Sequence, residues 1–159
     1  MSNSNTIKSL GELKKHESIS IWLVSDGIEI PFFENKKLRF IIEFDNSDET
    51  FFQKAEVAVK NFLALDSEYR KSVTKLVYKN YRAVVDDCGM DEIAMNNEFD
   101  IWSHVSPQEI FLKTKSYFEN GVYLGKDIFI TVLCECDWEE EHGLSLDFRM
   151  GESLKDVEN

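Results

Sequence analysis

Hydrophobic and polar residues alternate with a period of two near both ends of the chain. In the N-terminal part this alternation predicts strands over residues 19–24, 28–30 and 38–44. Asp26-Gly27 predicts a hairpin turn between the first two strands. Residues 1–18 carry no comparable pattern, and we expect them to be loosely ordered.

Apolar residues in the middle of the chain recur at helical spacing instead. Phe51, Ala55, Val59 and Phe62 predict a helix over residues 49–65. A second helix, capped by Asp66-Ser67 and stopped at Gly89, follows after one short corner. Its apolar stripe consists of Tyr69, Val73, Leu76, Val77, Tyr81 and Val84. Two helices joined in this way are expected to form a helical hairpin.

Period-two alternation returns in the C-terminal part. It predicts strands over residues 101–105, 109–115, 127–136, 143–149 and 154–157. Asn120-Gly121 predicts a turn between two of them. The order of strands, two helices and strands again indicates an α+β fold, with a mainly antiparallel sheet and the two-helix hairpin packed on one face. We expect residues 1–159 to form a single domain.

The composition is typical of a folded protein with a hydrophobic core and no membrane-spanning segment. Of the 159 residues, 43% are hydrophobic and 13% aromatic, which excludes a disordered chain. No apolar run approaches the ~20 residues that span a bilayer. The polar residues 1–5 lead us to expect no secretion signal. We therefore expect a cytoplasmic location. The odd number of cysteines, Cys88, Cys134 and Cys136, indicates reduced thiols.

Charge is distributed unevenly along the chain, whose net charge is −12. Nucleic acids and anionic membranes would be repelled, whereas a basic protein would be attracted and steered. The helical span 51–82 has a net charge of +4, residues 86–100 hold six acids and no base, and residues 135–159 carry −7. Solubility alone would explain an acidic chain, but the concentration of acids in two segments also predicts a binding surface.

The peptide between the two clearest C-terminal strands is the main candidate site. Trp138 lies there among five acids within seven residues, and an exposed aromatic residue inside an acidic rim is typical of a binding hot spot. The structural alternative is a solvated turn in which Trp138 folds back on the core and Gly143 takes a positive φ. The predicted partner-binding residues are Trp138, Glu139, Glu140, Glu141, Asp86, Asp87, Asp91 and Glu92.

Two kinds of catalytic chemistry compete with the binding hypothesis in the same peptide. Cys134, Cys136 and His142 are metal-ligand types, but their spacing lacks the paired ligands of a closed zinc site. Glu141 and His142 would serve a small metal-dependent hydrolase, together with Cys136, although neighbours on an extended chain point to opposite sides. No phosphate loop, G-x-S-x-G or H-E-x-x-H motif is present. We expect no catalytic residue, no cofactor and no metal.

Two resemblances add to this interpretation. The peptide Trp138-Glu-Glu-Glu-His-Gly-Leu144 resembles the W-x-x-E-H-G-L peptide of a family of small uncharacterised bacterial cytosolic proteins, in which a strand lies on either side. That family has no established activity and implies no functional residues. In size, acidity, α+β make-up and lack of catalytic motifs, the chain also resembles acidic toxin-immunity proteins. This second resemblance implies a non-enzymatic protein that neutralises a basic toxin domain, such as a nuclease. An interaction module without a toxin remains the other binding hypothesis.

Overall fold

The computed structural model describes residues 5–159, which form two α-helices, nine strands and three short 3₁₀ helices. The α-helices are Phe51–Leu63 (α1) and Ser67–Cys88 (α2), and the 3₁₀ helices are Lys8–Leu10, Pro31–Phe33 and Glu98–His104. The strands are Lys14–Lys15 (β1), Leu23–Val24 (β2), Ile28–Ile30 (β3), Lys36–Leu38 (β4), Phe40–Glu43 (β5), Val105–Glu119 (β6), Val122–Cys136 (β7), Leu144–Arg149 (β8) and Ser153–Glu158 (β9).

Seven of the strands form one sheet in the order β1-β2-β5-β6-β7-β8-β9, and β3 pairs with β4 alone. Every pair in the large sheet is antiparallel except β5 with β6. That parallel pair is the one whose connection contains both helices, as a crossover between parallel strands requires. The α+β class with a mainly antiparallel sheet is confirmed.

Both predicted helices are present, and all four ends lie within two residues of those expected. The carboxylate of Asp66 accepts hydrogen bonds from the N–H groups of Glu68 and Tyr69, which caps α2. Gly89 ends α2 in the left-handed conformation at φ 64°. Neither helix has the length and apolar content needed to cross a bilayer within residues 5–159. The packing of the pair as a hairpin on one sheet face stays a prediction.

Aromatic rings join the helices, the sheet and the 3₁₀ helices in one core. The ring of Phe148 on β8 meets Phe62 of α1 at 5.1 Å and Phe32 at 5.4 Å, both edge to face. Phe32 in turn meets Trp102 at 5.4 Å. Edge-to-face pairs at such distances are favoured by the ring quadrupoles. All four side chains are buried, so this cluster fixes the elements that carry the surface loops.

The N-terminal strands differ from the prediction. The strand expected over residues 19–24 is reduced to β2, and the run predicted over residues 38–44 breaks at Arg39 into β4 and β5. Asp26-Gly27 connects β2 to β3, but these two strands do not form a hairpin, because β2 pairs with β1 and β5 while β3 pairs with β4. The hairpin turn lies instead at Glu34 and Asn35, which both adopt left-handed backbone angles.

Two further segments correct the prediction. Residues 5–18 are not loose throughout, because Ile7 and Leu10 are buried and the Ser9 hydroxyl donates to Glu56 at 2.7 Å. The remainder of that prediction, residues 1–4, lies outside the described residues. Residues 101–104 form a 3₁₀ helix rather than a strand, which buries Ile101 and Trp102 together.

Candidate functional site

The loop that joins β7 and β8, residues 137–143, is a tight structure stabilised by its own groups. One carboxylate oxygen of Glu139 accepts hydrogen bonds from the backbone N–H groups of Glu141 and His142, at 3.1 and 3.3 Å. The N–H of Gly143 donates to the carbonyl of Glu139 at 3.0 Å. Gly143 lies at φ 67°, and an added Cβ would come within 2.3 Å of the Cys134 carbonyl oxygen. Only glycine fits this position without strain.

Trp138 is the main correction to the predicted site. Its side chain is only 3% exposed, so it does not form an aromatic contact on the surface. The indole N–H donates to the side-chain oxygen of Asn80 on α2 at 2.9 Å, and the ring lies edge to face with Tyr81 at 5.6 Å. A buried indole is stabilised where its N–H finds an acceptor. Trp138 therefore anchors the loop to α2 from beneath.

The acids of this loop fall into two groups. Glu139 is half-buried and is engaged by the loop backbone, whereas Glu140 and Glu141 are exposed. Within residues 5–159, the carboxylates of Glu140 and Glu141 have no hydrogen-bond or ion-pair partner. Asp137 accepts from the ring of His104 at 2.7 Å. Two of the three predicted glutamates are thus free to meet a partner.

The second predicted patch divides in the same way. Arg82 of α2 donates to Asp86 at 3.0 Å and to Glu92 at 2.6 Å, so these two carboxylates are neutralised locally. Asp87 and Asp91 are exposed, and neither is paired among the residues that the structure describes. The predicted patch therefore contributes two free carboxylates rather than four.

Tyr81 brings the two acidic segments to the same stretch of α2. Its ring contacts Trp138 of the 137–143 loop, and its hydroxyl accepts a hydrogen bond from the N–H of Ile93 at 2.7 Å. Segments that are 45 residues apart in sequence thus flank one residue of the helix. We refer to the exposed, unpaired carboxylates of these two segments, Asp87, Asp91, Glu140 and Glu141, as the acidic end.

The groups of the catalytic alternative, Cys136, Glu141 and His142, lie at the end of β7 and in the 137–143 loop. The thiol of Cys136 contacts the carbonyl oxygen of Glu139 at 3.8 Å, and burial raises the pKa of the thiols of Cys134 and Cys136. His142 is 68% exposed, and its Nδ1 lies 3.5 Å from Glu139. In the described part of the chain, no three His, Cys, Asp or Glu side chains are placed to hold a metal ion.

Two features were missed from the sequence. Arg70 is buried, although it is one of the bases that give the helical span 51–82 its net charge of +4. Its spacing to Val73, Val77 and Tyr81 is helical, and that spacing places it on the buried stripe. The other feature is the far end of the β6–β7 hairpin, which extends beyond its neighbouring strands and exposes apolar side chains. These side chains lie on both sides of the Asn120-Gly121 turn, where apolar residues no longer alternate with polar ones. They are Phe118, Val122, Tyr123 and Leu124.

The fold and the site define a small α+β domain that carries unpaired carboxylates on well-anchored elements. The chain belongs to the DUF6985 family, a domain of unknown function, whose model matches residues 9–159. No curated protein and no solved structure matches the chain. Membership of this family agrees with the resemblance to an uncharacterised family and assigns no activity.

Proposed function

We propose that this chain is a non-enzymatic binding protein that accepts a basic protein partner at its acidic end. In its most concrete form, it is a cytoplasmic immunity protein that neutralises a bacterial toxin domain. The observation that carries the proposal is the set of four exposed carboxylates that lack a protein partner within residues 5–159 and lie in two segments that both contact Tyr81 of α2.

Unpaired surface carboxylates on a chain of net charge −12 repel one another. A basic partner would relieve that repulsion and would be attracted over the Debye length of about 10 Å at moderate salt. Complementary charge mainly accelerates association, to about 10⁸ M⁻¹s⁻¹ or more at low salt. A toxin that acts on nucleic acid must itself carry a basic surface, because it binds phosphates. Such a surface is the natural counterpart of the acidic end.

The scaffold beneath the carboxylates supports the same function. Trp138 fixes the loop to α2, Glu139 holds the loop backbone, and Gly143 permits its tight return to β8. A loop that is ordered before binding loses less conformational entropy when a partner docks. The acids therefore lie on a preorganised surface, which favours binding over catalysis by a mobile loop.

The test is co-purification of the full chain with the protein encoded by the adjacent gene, followed by measurement of the association rate at several salt concentrations. The variant reverses the four free charges by Asp87→Lys, Asp91→Lys, Glu140→Lys and Glu141→Lys. A matched control reverses four exposed acids elsewhere by Glu12→Lys, Glu29→Lys, Glu119→Lys and Glu152→Lys. Both variants change the net charge equally, so only position distinguishes them.

We expect the acidic-end variant to associate with the partner at least about tenfold more slowly than the native chain and to lose most of the salt dependence of the association rate. The control variant should keep a faster association rate and a stronger salt dependence than the acidic-end variant. Equal losses in the two variants would reduce the effect to overall charge and contradict the residue assignment. If the adjacent gene product binds neither the native chain nor the control, the immunity form of the proposal is wrong. A partner without toxic activity would identify an interaction module instead.

A further inference from the structure

A cavity of about 390 Å³ lies between the β3–β4 turn, the start of α2, the Glu98–His104 helix and the start of β6. This volume is in the range of small-ligand pockets. Its lining combines three aromatic rings with two cations and two anions. They are Phe33, Phe99, Trp102, Arg70, Lys36, Glu34 and Asp100.

Arg70 is the unusual member of this lining, since only 8% of its side chain is exposed. Its guanidinium carbon lies 5.4 Å from the ring centre of Phe99 and 5.5 Å from that of Trp102. Nη2 donates to Glu34 at 2.7 Å, but the buried Nε has no hydrogen-bond partner among residues 5–159. Buried donors are rarely left unpaired, because the unmade hydrogen bond is costly.

The position of Arg70 is fixed by its surroundings. The indole N–H of Trp102 donates to the hydroxyl of Thr74 at 2.9 Å, and that hydroxyl donates to the backbone carbonyl of Arg70 at 2.9 Å. The aromatic wall and the helix that carries Arg70 are thereby tied together. A guanidinium held in this way presents a flat array of donors, which matches a carboxylate.

Glu34 shows which chemistry the cavity accepts, because its carboxylate is the acid bound to Arg70. That carboxylate is nevertheless 75% exposed, and its residue lies in a left-handed conformation at φ 56°, which is strained for a side chain other than glycine. The ion pair is therefore open to competition from solvent and solutes. Lys36 adds a second cation, which donates to the Pro107 carbonyl and forms no ion pair within the described residues.

We propose that this cavity binds a carboxylate, which takes unused donors of Arg70 and competes with Glu34 for its guanidinium. Two cations face two anions in the lining, so a planar monoanion suits the charge balance better than a phosphate dianion. The carboxylate is a small free acid or the terminal carboxylate of a peptide. This site is distinct from the acidic end and does not depend on the function proposed for that surface.

The test is a titration of the full-length chain with sodium benzoate, followed by NMR of the Arg70 Nε–H and Trp102 indole N–H resonances. We expect saturable shifts of both signals. Glu34→Gln should tighten binding at least about fivefold, because it removes a competing charge from Arg70. Arg70→Lys should weaken binding at least about tenfold, because it keeps the charge but loses the planar donor array.

Glu68→Gln is the matched control, since Glu68 is exposed on α2 and pairs with Lys71 outside the cavity. Parallel titrations use inorganic phosphate, and a short peptide with either a free or an amidated C-terminus. Tighter binding of the free peptide or of benzoate identifies the source of the carboxylate. Absence of saturable shifts in both the native chain and Glu34→Gln overturns the proposal, as does equal or tighter binding of phosphate. If Arg70→Lys fails to fold, an unchanged affinity in Glu34→Gln still overturns it.

Discussion

At the scale of single residues, two turns on either side of β7 contain a glycine with a positive φ, the 137–143 loop and the β6–β7 turn. These glycines are Gly143 and Gly121, at φ 67° and 78°. They differ in their surroundings, since a Cβ at Gly143 would meet the Cys134 carbonyl oxygen at 2.3 Å, whereas a Cβ at Gly121 would meet nothing within 4 Å. The first glycine is required by both conformation and space, and the second by conformation alone.

This difference predicts unequal effects of the same substitution. Gly121→Ala should lower the free energy of unfolding by about 1 kcal/mol, the cost of a left-handed alanine. Gly143→Ala should lower it by about 3 kcal/mol, because the backbone near Cys134 must also move. Urea unfolding followed by circular dichroism measures both values. Similar losses in the two variants would show that the close approach at Gly143 has little effect on stability.

At the scale of elements, the two α-helices begin in different ways. The carboxylate of Asp66 accepts from two N–H groups in the first turn of α2, whereas Thr50 makes no side-chain capping bond to α1. The hydroxyl of Thr50 donates to Asp48 instead. Side-chain capping at α2 thus satisfies N–H groups that the helix itself leaves unpaired.

Replacing the capping residues tests that assignment. Asp66→Ala should destabilise the protein by about 1 kcal/mol, because two N–H groups at the start of α2 lose their acceptor. Thr50→Ala should cost less than about 0.5 kcal/mol, since it removes an exposed contact outside the helix. Equal shifts of the urea midpoint in these two variants would refute a capping role for Asp66.

The elements also show which predictions the sequence supports. The helices and the last two strands follow local periodicity and caps, so the sequence predicts both ends of α1, α2, β8 and β9 within two residues. Strand pairing is a long-range property, so the hairpin turn predicted at Asp26-Gly27 is wrong: β2 and β3 do not pair. The strand predicted over residues 101–105 is wrong at residues 101–104 for a related reason. Burial of Ile101 and Trp102 is compatible with a strand and with a 3₁₀ helix equally well.

At the scale of the whole molecule, sequence located the acidic segments but not their free charges. The concentration of acids between residues 86 and 100 and between 135 and 141 is visible in the chain. Arg82 neutralises two of these acids. Its ion pair with Asp86 joins residues four positions apart, and its ion pair with Glu92 joins residues ten positions apart. Burial of Trp138 depends on Asn80 and Tyr81, which lie nearly sixty residues away. Tertiary contacts of this kind leave no periodic trace.

Charge also governs how the stability of the whole molecule depends on pH. Hydrogen bonds from Arg39 lower the pKa of Glu17 to about 2, and those from Thr50 and Lys54 lower the pKa of Asp48 to about 2. A carboxyl whose pKa is lowered on folding binds protons more readily in the unfolded chain, where its pKa is about 4. These groups therefore contribute stability above about pH 4 that is lost as the pH falls towards 2.

Between pH 7 and about 5 the net charge of −12 falls towards zero, which reduces self-repulsion and opposes any loss. We therefore expect the urea midpoint to be highest near pH 5 and to fall steeply between about pH 4 and 2. Asp48→Asn should flatten that fall, because one group no longer takes up a proton on unfolding. Glu49→Gln is the control, since it removes a neighbouring exposed charge that makes no ion pair within residues 5–159. Parallel acid limbs for the native chain and Asp48→Asn would contradict this assignment, because linkage requires the slope to change with the number of protons bound.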